Sequence, residues 1–255
     1  MTHENPFRLD NETALITGGG TGIGFGIARC MIKAGAKVVL VGRRESELVK
    51  ACSILGDQSS YVIQDITCFD ELPKLLERAR KTADRPITVL VNNAGIHLKK
   101  LTLDTSVEEF QSVIQTHVIA AHALTRIFAP EMIKQKHGSI LFTSSMAAFM
   151  GVPQVVAYAA AKSAYFGMIA TISAELSAEG IRVNGIAPGW IFSEMSSKAL
   201  DKDPERKAKV LSRIQMGRMG QPEDIGWAAV YLSSPAASYV TGVTLPVDGG
   251  ANVGF

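Results

Sequence analysis

The chain has 255 residues, 47% of them hydrophobic and 20% charged, and its formal net charge is +2. This length is compatible with a single domain of alternating strands and helices, and the hydrophobic fraction can fill a large core. So small a net charge creates no field strong enough to attract nucleic acid. We therefore expect a small molecule as the partner of this protein.

The positions of cysteine and histidine argue against disulfides and metal sites. Cys30, Cys52 and Cys68 are odd in number and include no C-x-x-C spacing, so they predict neither a disulfide framework nor a zinc site. The nearest histidines, His117 and His122, are five residues apart and would project from different sides of a helix. We expect no metal, and three free thiols fit a reducing compartment.

The chain carries no predicted targeting or membrane segment. Its first stretch, MTHENPFRLDNE, lacks the apolar segment of a signal peptide. Nowhere do 18 apolar residues follow one another, as a membrane-spanning helix would require. We expect a cytoplasmic protein without a membrane segment.

Predicted strands and helices alternate along the chain. Short apolar runs predict buried strands at 13–17, 37–41, 61–63, 87–91, 139–143, 181–188 and 243–247. The stretches between them predict helices near 23–34, 45–55, 70–82, 107–136, 157–178 and 222–233. Ser106 with Glu109 forms a capping-box pattern, and Asp203 before Pro204 favours a short extra helix at 204–215.

This alternation predicts the fold class. Strands that are buried on both faces and joined by helices form a doubly wound parallel sheet, whose ligands bind beyond the carboxyl ends of the strands. We therefore expect an α/β protein with a Rossmann-type parallel seven-stranded sheet, in a single domain that spans residues 1–255.

A glycine-rich loop follows the first predicted strand. It reads TGGGTGIG over residues 17–24 and leads directly into a helix. Gly18, Gly22 and Gly24 allow a tight turn and a close approach to a ligand, and the helix start favours a diphosphate. The spacing differs from G-x-G-x-x-G, and a flexible turn is the alternative. The strand and helix on either side favour dinucleotide binding.

The end of the second strand indicates which dinucleotide binds. A carboxylate there would accept a hydrogen bond from the ribose of NAD, but the chain reads VGRR, with Gly42 in that place. Arg43 and Arg44 would instead hold the 2′-phosphate of NADP by charge-assisted bonds. NADP is favoured over NAD, which stays possible because Glu45 is near enough to neutralise the arginines in a solvated loop.

A tyrosine and a lysine four residues apart stand in the stretch AYAAAKSAYFGM. At this spacing Tyr158 and Lys162 project together from one helical face. The three alanines between them allow a packed element or a bound molecule to come close.

Five motifs in order resemble the short-chain dehydrogenase/reductase family. They are TGGGTGIG, NNAG at 92–95, Ser145 thirteen residues before YAAAK, APGWIFSEM, and a closing VDGG. The resemblance extends over about residues 9–250. It implies that Tyr158 is the general acid/base, that Lys162 holds the nicotinamide ribose and lowers the pKa of the tyrosine, and that Ser145 bonds the substrate oxygen.

The resemblance also implies a set of cofactor contacts and a substrate lid at about 190–217. The cofactor residues are the loop residues Gly18, Thr21, Gly22, Ile23 and Gly24, then Arg43, Asp65, Ile66, Asn92, Ala94, Gly95, Ile191 and Ser193, together with Tyr158 and Lys162. Two simpler interpretations stay open, namely that Asp65 caps a turn and that NNAG is a tight strand exit. Related proteins pair long helices across subunits, so we expect a homotetramer or homodimer.

His117 is a departure from the family pattern. The alignment of FQSVIQTHVIAAH places it where an active-site asparagine usually opens a helix and holds a proton-relay water. A neutral imidazole has one donor and one acceptor, and its charge can change near neutral pH. We expect His117 to act in the relay, and the alternative is a packed core histidine bonded to a carbonyl.

The resulting prediction is an oxidoreductase that transfers a hydride between NADP(H) and a carbonyl or secondary alcohol. A nucleotide-binding regulatory or scaffolding protein is the alternative. An enoyl reductase is a third possibility, but enzymes of that kind usually have a wider spacing of tyrosine and lysine. His97 and Trp190 are expected near the substrate. The stretch HLKK at 97–100 fits either an acidic substrate or a solvated loop.

Overall fold

The computed structural model describes residues 5–192 and 203–253. Its strands and helices are, in chain order, β1 (Thr13–Thr17), α1 (Gly22–Lys33), β2 (Lys37–Gly42), α2 (Glu45–Leu55), β3 (Ser59–Ile63), α3 (Leu72–Ala83), β4 (Val89–Asn92), α4 (Val107–Ile114), α5 (Ala120–Gln135), β5 (Gly138–Thr143), α6 (Val156–Leu176), β6 (Ile181–Pro188), α7 (Pro204–Arg213), α8 (Pro222–Ser233) and β7 (Thr244–Val247). Short 3₁₀ turns occur between several of them.

The strands form one parallel seven-stranded sheet in the order β3-β2-β1-β4-β5-β6-β7. The chain moves outward from β1 to one edge, then crosses to β4 and continues to the other edge. This order confirms the predicted doubly wound sheet. The crossover between β1 and β4 opens a crevice at the carboxyl ends of the strands, where a ligand has room to bind.

Two hydrophobic cores cover the two faces of the sheet. In β1, Leu15 packs into the core formed with α3, α5 and α6, while Ala14 and Ile16 pack into the core formed with α1, α2 and α8. Side chains alternate between the faces of a strand, so a strand buried on both faces needs an unbroken apolar run. The apolar run TALIT at residues 13–17 therefore indicates a central strand.

The predicted helix at 107–136 is not continuous. Helix α4 begins with the predicted capping box, in which Ser106 accepts from the amide of Glu109 and the Glu109 carboxylate accepts from the amide of Ser106. Residues Gln115–Ile119 then form one π-helical turn, here called the π-turn, before α5 resumes α-helical geometry. A π-helical turn widens the helix and often occurs at functional sites.

The lid region is described in part. The predicted extra helix is confirmed as α7, and Ile214 after it packs with Met146 and Ala251 in a small apolar cluster that includes Trp190. Residues 193–202 lie outside the described residues, and Ser193 is among them. None of the helices within 5–192 and 203–253 combines the length and the apolar character needed to span a bilayer.

Candidate functional site

Two adjoining cavities lie at the carboxyl ends of the strands. The larger, of about 570 Å³, is lined by the glycine loop, by the end of β2 and by the segments after β3 and β4. The smaller, of about 260 Å³, is lined by residues after β5 and on α6. Four residues line both cavities, so the two spaces are continuous at that point: Ile23, Asn93, Gly95 and Ile96.

The structure brings most of the predicted cofactor residues to the larger cavity. Its lining includes Gly18, Thr21, Ile23, Gly24, Arg43, Asp65, Ile66, Ala94 and Gly95. Gly22, Asn92 and Ile191 line neither cavity. Asn92 is buried at the end of β4, and both polar atoms of its amide lack a hydrogen-bond partner among the described residues.

The glycine loop is shaped by a close backbone approach. Gly18 has a φ of +65°, and its amide donates to Val41 O at 2.7 Å. A Cβ on Gly24 would lie 2.3 Å from Gly18 O, so any side chain there would displace the loop. Thr21, just before α1, forms no side-chain capping bond. The first amides of α1 are therefore available to an anion such as a diphosphate.

The end of β2 presents a cation to the larger cavity. Arg43 has a 68% exposed side chain, and its guanidinium lies 3.8 Å from the carboxylate of Asp65. Asp65 in turn accepts from the amide and hydroxyl of Thr67 at 2.9 and 2.7 Å. Partial burial works to raise the pKa of Asp65, but these bonds and Arg43 keep it below its ordinary value. Asp65 thus caps a turn and also lines the cavity.

The smaller cavity brings together the three residues predicted to be catalytic. Ser145 follows β5 and accepts from the amide of Ala147 at 3.1 Å. Tyr158 and Lys162 lie one turn apart on α6, and all three residues line the cavity. Burial raises the pKa of Tyr158, and a hydrogen bond with Ser145 offsets part of this effect.

Lys162 is buried beneath the tyrosine. It is 3% exposed, and its Nζ donates to Thr143 O at 2.6 Å and lies 5.6 Å from the centre of the Tyr158 ring. Burial lowers the pKa of Lys162 to about 7, because a low-dielectric surrounding disfavours the charged form. The lysine can therefore exchange a proton near neutral pH.

His117 lies in the π-turn and is 2% exposed. Its Nε2 is 3.1 Å from Ile96 N and 2.8 Å from Ile96 O, and its ring meets the Tyr158 ring edge-on at 5.6 Å between centres. A single ring nitrogen either donates to the carbonyl or accepts from the amide. The other nitrogen, Nδ1, is buried without a partner in the described part of the chain.

The expected charge change of His117 near neutral pH is wrong. Burial, followed by the charge of Lys162, lowers the pKa of His117 to about 3, although the bond to Ile96 acts in the opposite direction. Burial therefore favours the neutral imidazole near neutral pH. Any part it has in proton transfer must use its neutral form.

The sequence interpretation missed three features of the site. Asn93, the second residue of NNAG, lines both cavities, and its Nδ2 donates to Thr17 O at 2.9 Å. Gln115 and Thr116 of the π-turn line the larger cavity. Tyr165 lies on the face of α6 that carries Tyr158 and Lys162. It follows Tyr158 by seven residues and Lys162 by three, and this helical spacing could have identified it from the sequence.

His97 forms the outer wall beside the tyrosine. Its ring packs against Tyr158 at 5.0 Å between centres, and it lines the smaller cavity with Ser145. Burial, followed by the charge of Lys99, lowers the pKa of His97. The His97 imidazole and the Ser145 hydroxyl can form hydrogen bonds with a hydroxylated molecule in the smaller cavity.

Comparison with known proteins identifies relatives along nearly the whole chain. A family model described as enoyl-(acyl carrier protein) reductase matches residues 18–252. The 2-dehydro-3-deoxy-D-gluconate 5-dehydrogenase of Bacillus subtilis is 37% identical over 246 residues, which cover 96% of each chain. A 3-oxoacyl-[acyl-carrier-protein] reductase of Rickettsia prowazekii is 35% identical over 95% of this chain and 97% of its own length.

The fold matches a solved structure at similar identity. A Beutenbergia cavernae protein, assigned as an NAD(P)-dependent gluconate 5-dehydrogenase and solved with NADP bound at low occupancy, superimposes with a TM-score of 0.89. It is 36% identical, and the match covers 98% of this chain and all of the other.

Proposed function

This chain belongs to the short-chain dehydrogenase/reductase family of oxidoreductases, and we propose that it transfers a hydride between NADP(H) and a carbonyl or secondary alcohol. The observation that carries this proposal is the placement of Ser145, Tyr158 and Lys162 on one cavity that adjoins the glycine-loop cavity. NADP(H) would extend from the larger cavity to Tyr158 and Lys162 in the smaller one and would supply the hydride there. The substrate would occupy the rest of the smaller cavity, beside Ser145.

The protein's own groups supply the proton and the charge stabilisation. In reduction, Tyr158 gives its phenolic proton to the substrate oxygen, while Ser145 donates a hydrogen bond to the same oxygen as negative charge develops there. Lys162 favours the tyrosine anion that results. One ammonium at ~4 Å contributes about 4 kcal/mol at an effective dielectric of ~20, which would bring an ordinary phenol from a pKa of ~10 to roughly 7. The burial that raises the pKa of Tyr158 acts against this contribution.

The residues of the larger cavity fit NADP. The amides at the start of α1 suit the diphosphate, and Gly24 allows the Gly18 carbonyl to pack closely against the helix start, which keeps the loop in its turn. Gly42 provides no carboxylate for a ribose hydroxyl, whereas Arg43 has an exposed fork of donors at the same place. These features support a preference for NADP over NAD.

His117 would act as a neutral relay residue between Lys162 and solvent. Its unpartnered Nδ1 can hold a water, since a buried polar atom without a partner is costly and a water satisfies it. With Lys162 near a pKa of 7, a proton lost by Tyr158 can be replaced from the lysine. The competing role is that of a packing residue bonded to Ile96.

The substrate is proposed to be a hydroxylated acid. His97 and Ser145 offer hydrogen bonds to hydroxyl groups, and the exposed Lys99 adds a positive charge that acts on His97. The Bacillus relative is named for a sugar-acid substrate and the Rickettsia relative for an acyl-carrier thioester. A comparison of kcat/KM for keto derivatives of gluconate and for acetoacetyl thioesters will separate the two substrate classes. His97→Leu should weaken the binding of the sugar acid and leave that of the thioester unchanged.

The two other functions have less support. A scaffolding role would be expected after loss of a catalytic group, but Ser145, Tyr158 and Lys162 are all in place. An enoyl reductase usually has more than the three residues that separate tyrosine from lysine here. The matching family model has the description enoyl-(acyl carrier protein) reductase, but this spacing and the named relatives favour action on a carbonyl or alcohol. No observation favours the scaffolding role.

An assay of NADPH consumption tests the proposal. Carbonyl and polyol substrates are screened by following the absorbance of NADPH. Wild type and Tyr158→Phe are purified in parallel and assayed side by side. Turnover by the wild type that disappears in the variant supports it, because a contaminating enzyme would be present in both. NADPH binding by wild type with no turnover of any carbonyl, polyol or thioester would favour the scaffolding role.

The oligomeric state and location are further proposals. Leu103, Val107 and Phe149 expose apolar surface around α4 and α6, which supports a homodimer or homotetramer. Ala120 and Ala121 are buried in the core and do not belong to this exposed surface. The three cysteines of the described chain are free thiols, which supports a cytoplasmic location.

A further inference from the structure

Tyr165 lies below the catalytic pair on the same face of α6. Tyr158, Lys162 and Tyr165 follow one another at i, i+4 and i+7, so their side chains form one row. Tyr165 is 1% exposed and lines neither cavity. It cannot touch the substrate, and the reaction described above gives it no role.

The hydroxyl of Tyr165 reaches the π-turn. It donates to the backbone carbonyl of His117 at 3.0 Å. Within the π-turn, the amide of Ala120 points both to Gln115 O, five residues back, and to His117 O. A carbonyl oxygen has two lone pairs, so the tyrosine adds a second donor at the point where the helix is widened.

The ring of Tyr165 supports the buried lysine. Nζ of Lys162 lies 5.0 Å from its centre and 5.6 Å from the centre of the Tyr158 ring. An ammonium near the face of an aromatic ring is attracted by the ring quadrupole, and the attraction grows when water is excluded. Tyr165 therefore contacts the two residues from which the proton relay is built.

We propose that Tyr165 is a positioning residue: its hydroxyl holds the π-turn in the form that directs the His117 ring to Ile96 and Tyr158, and its ring holds the Lys162 ammonium. This inference rests on the proposed function for its effect on turnover. Its structural half, the control of His117 by the Tyr165 hydroxyl, stands independently of the reaction.

The hydroxyl is the part that acts on His117. A buried hydroxyl needs a partner, and the carbonyl of His117 provides it across the gap between α6 and the π-turn. Without this bond, an α-helical arrangement competes with the π-turn, because π-helical turns are rare in themselves. A change of helical turn would rotate the His117 ring away from Ile96.

Two substitutions separate the two contacts. Tyr165→Phe removes the hydroxyl and keeps the ring over Lys162, so kcat should fall about ten-fold while KM and the dissociation constant of NADPH change less than about two-fold. Tyr165→Leu removes both contacts and should also weaken NADPH binding, because Lys162 loses its support. Tyr231→Phe, on α8 and remote from the cavities, is the matched control and should match wild type.

A double-mutant cycle tests whether Tyr165 acts through His117. Tyr165→Phe should cost about ten-fold in wild type but less than about two-fold in His117→Leu, since the ring that it positions is then absent. A role in stability alone would lower the melting temperature equally in both backgrounds without this difference in kcat. Additive losses in kcat, or an unchanged kcat in Tyr165→Phe, would overturn the proposal.

Nitrogen-15 NMR of labelled histidine gives a result that does not depend on activity, and its wild-type part does not depend on the folding of any variant. In wild type, His117 should show a single neutral tautomer that stays neutral down to pH 5, and the Tyr165 hydroxyl proton should exchange slowly with a cross-peak to residue 117. In Tyr165→Phe the ring signals should shift or broaden. A wild-type hydroxyl proton in fast exchange, or unchanged ring signals in a folded variant, would refute the positioning role. Absence of turnover in wild type with the expected spectra would instead count against the proposed reaction.

Discussion

The guanidinium of Arg43 lies 3.8 Å from the carboxylate of Asp65, beside the glycine loop. This distance is too long for a tight hydrogen-bonded pair, and the exposed arginine keeps its donors free for another anion. A 2′-phosphate at this place would form charge-assisted bonds with the guanidinium. The relationship therefore leads to a prediction about cofactor preference.

Arg43→Ala should lose the preference for NADPH. We expect NADPH to bind about ten-fold to a hundred-fold more weakly, since bonds to charged groups contribute about 1.5–3 kcal/mol, whereas NADH should bind almost as before. Fluorescence titration of wild type and variant with both cofactors measures this. The control is Arg85→Ala, which should leave both affinities unchanged. Arg85 lies at the opposite ends of the strands, where it donates to Asp10 O. Equal affinity of wild type for NADPH and NADH would show that Arg43 does not read the phosphate.

Tyr158→Phe should abolish turnover while cofactor binding stays nearly intact. Only the transferable proton is deleted, and general acid/base groups typically contribute about 10²–10⁴ in rate. Lys162→Ala should impair both turnover and cofactor binding, because the lysine also contacts Thr143 and the tyrosine ring. Stopped-flow single turnover together with NADPH titration separates the two effects. A Phe variant that still turns over would mean that the general acid is elsewhere.

The relay role of His117 is tested by comparing its polar and apolar replacements. His117→Asn should keep substantial activity, because the amide can also bond Ile96 and hold a water, whereas His117→Leu should lose at least about ten-fold in kcat. Since burial keeps the pKa of His117 at about 3, the wild-type profile should show no titration of this histidine between pH 5 and 9.

The pH dependence of turnover should instead report the other buried groups. Lys162, whose pKa is lowered to about 7 by burial, is the group expected to titrate near neutrality, and loss of the relay in His117→Leu should shift that limb of the profile. An active Leu variant with an unchanged profile would mean that His117 serves only in packing.

Much of the architecture could be predicted because the signals are local. The unbroken apolar run of β1, the glycines of the loop and the capping box at Ser106 each constrain their own stretch of backbone. The spacing of Tyr158 and Lys162 required only that the segment be helical. The sequence was therefore sufficient for the sheet, for the edge at which the two cavities lie, and for the placement of Tyr158 and Lys162 on one face of α6.

Features that depend on contacts between distant segments could not be predicted. The π-turn arises where His117 bonds Ile96 and Tyr165 bonds His117, across separations of 21 and 48 residues. The low pKa of His117 follows from burial beside Lys162, which no periodicity encodes. Likewise, which asparagine of NNAG meets the cavity depends on the end of β4, where Asn92 is buried and Asn93 lines both cavities.

A hydrogen-bonded ion pair of Glu12 and His137 lies at the opposite ends of the strands. His137, before β5, has its Nε2 2.8 Å from Oε1 of Glu12, before β1. The hydrogen bond to Glu12 raises the pKa of His137, while partial burial and the charge of Arg182 oppose the rise. Arg182, on β6, donates to Leu232 O and Ser234 O nearby. Glu12 therefore joins the starts of two strands through a histidine whose pKa is raised above its ordinary value.

We predict that this pair makes the protein less stable as the pH rises past neutrality. A histidine whose pKa is raised by folding contributes its full stabilisation below its unfolded pKa of about 6.5, and the contribution disappears as the pH rises through the folded pKa. Because the His137 side chain is 58% exposed, solvent screening limits the effect, and we expect the melting temperature to fall by only about 1–3 °C between pH 6 and 8 relative to Glu12→Gln.

Differential scanning calorimetry of wild type, Glu12→Gln and His137→Gln across this range measures the difference. Both variants should show the same flatter dependence, since either one removes the pair. A wild type with the same pH dependence as the variants would show that the pair contributes no proton-linked stability.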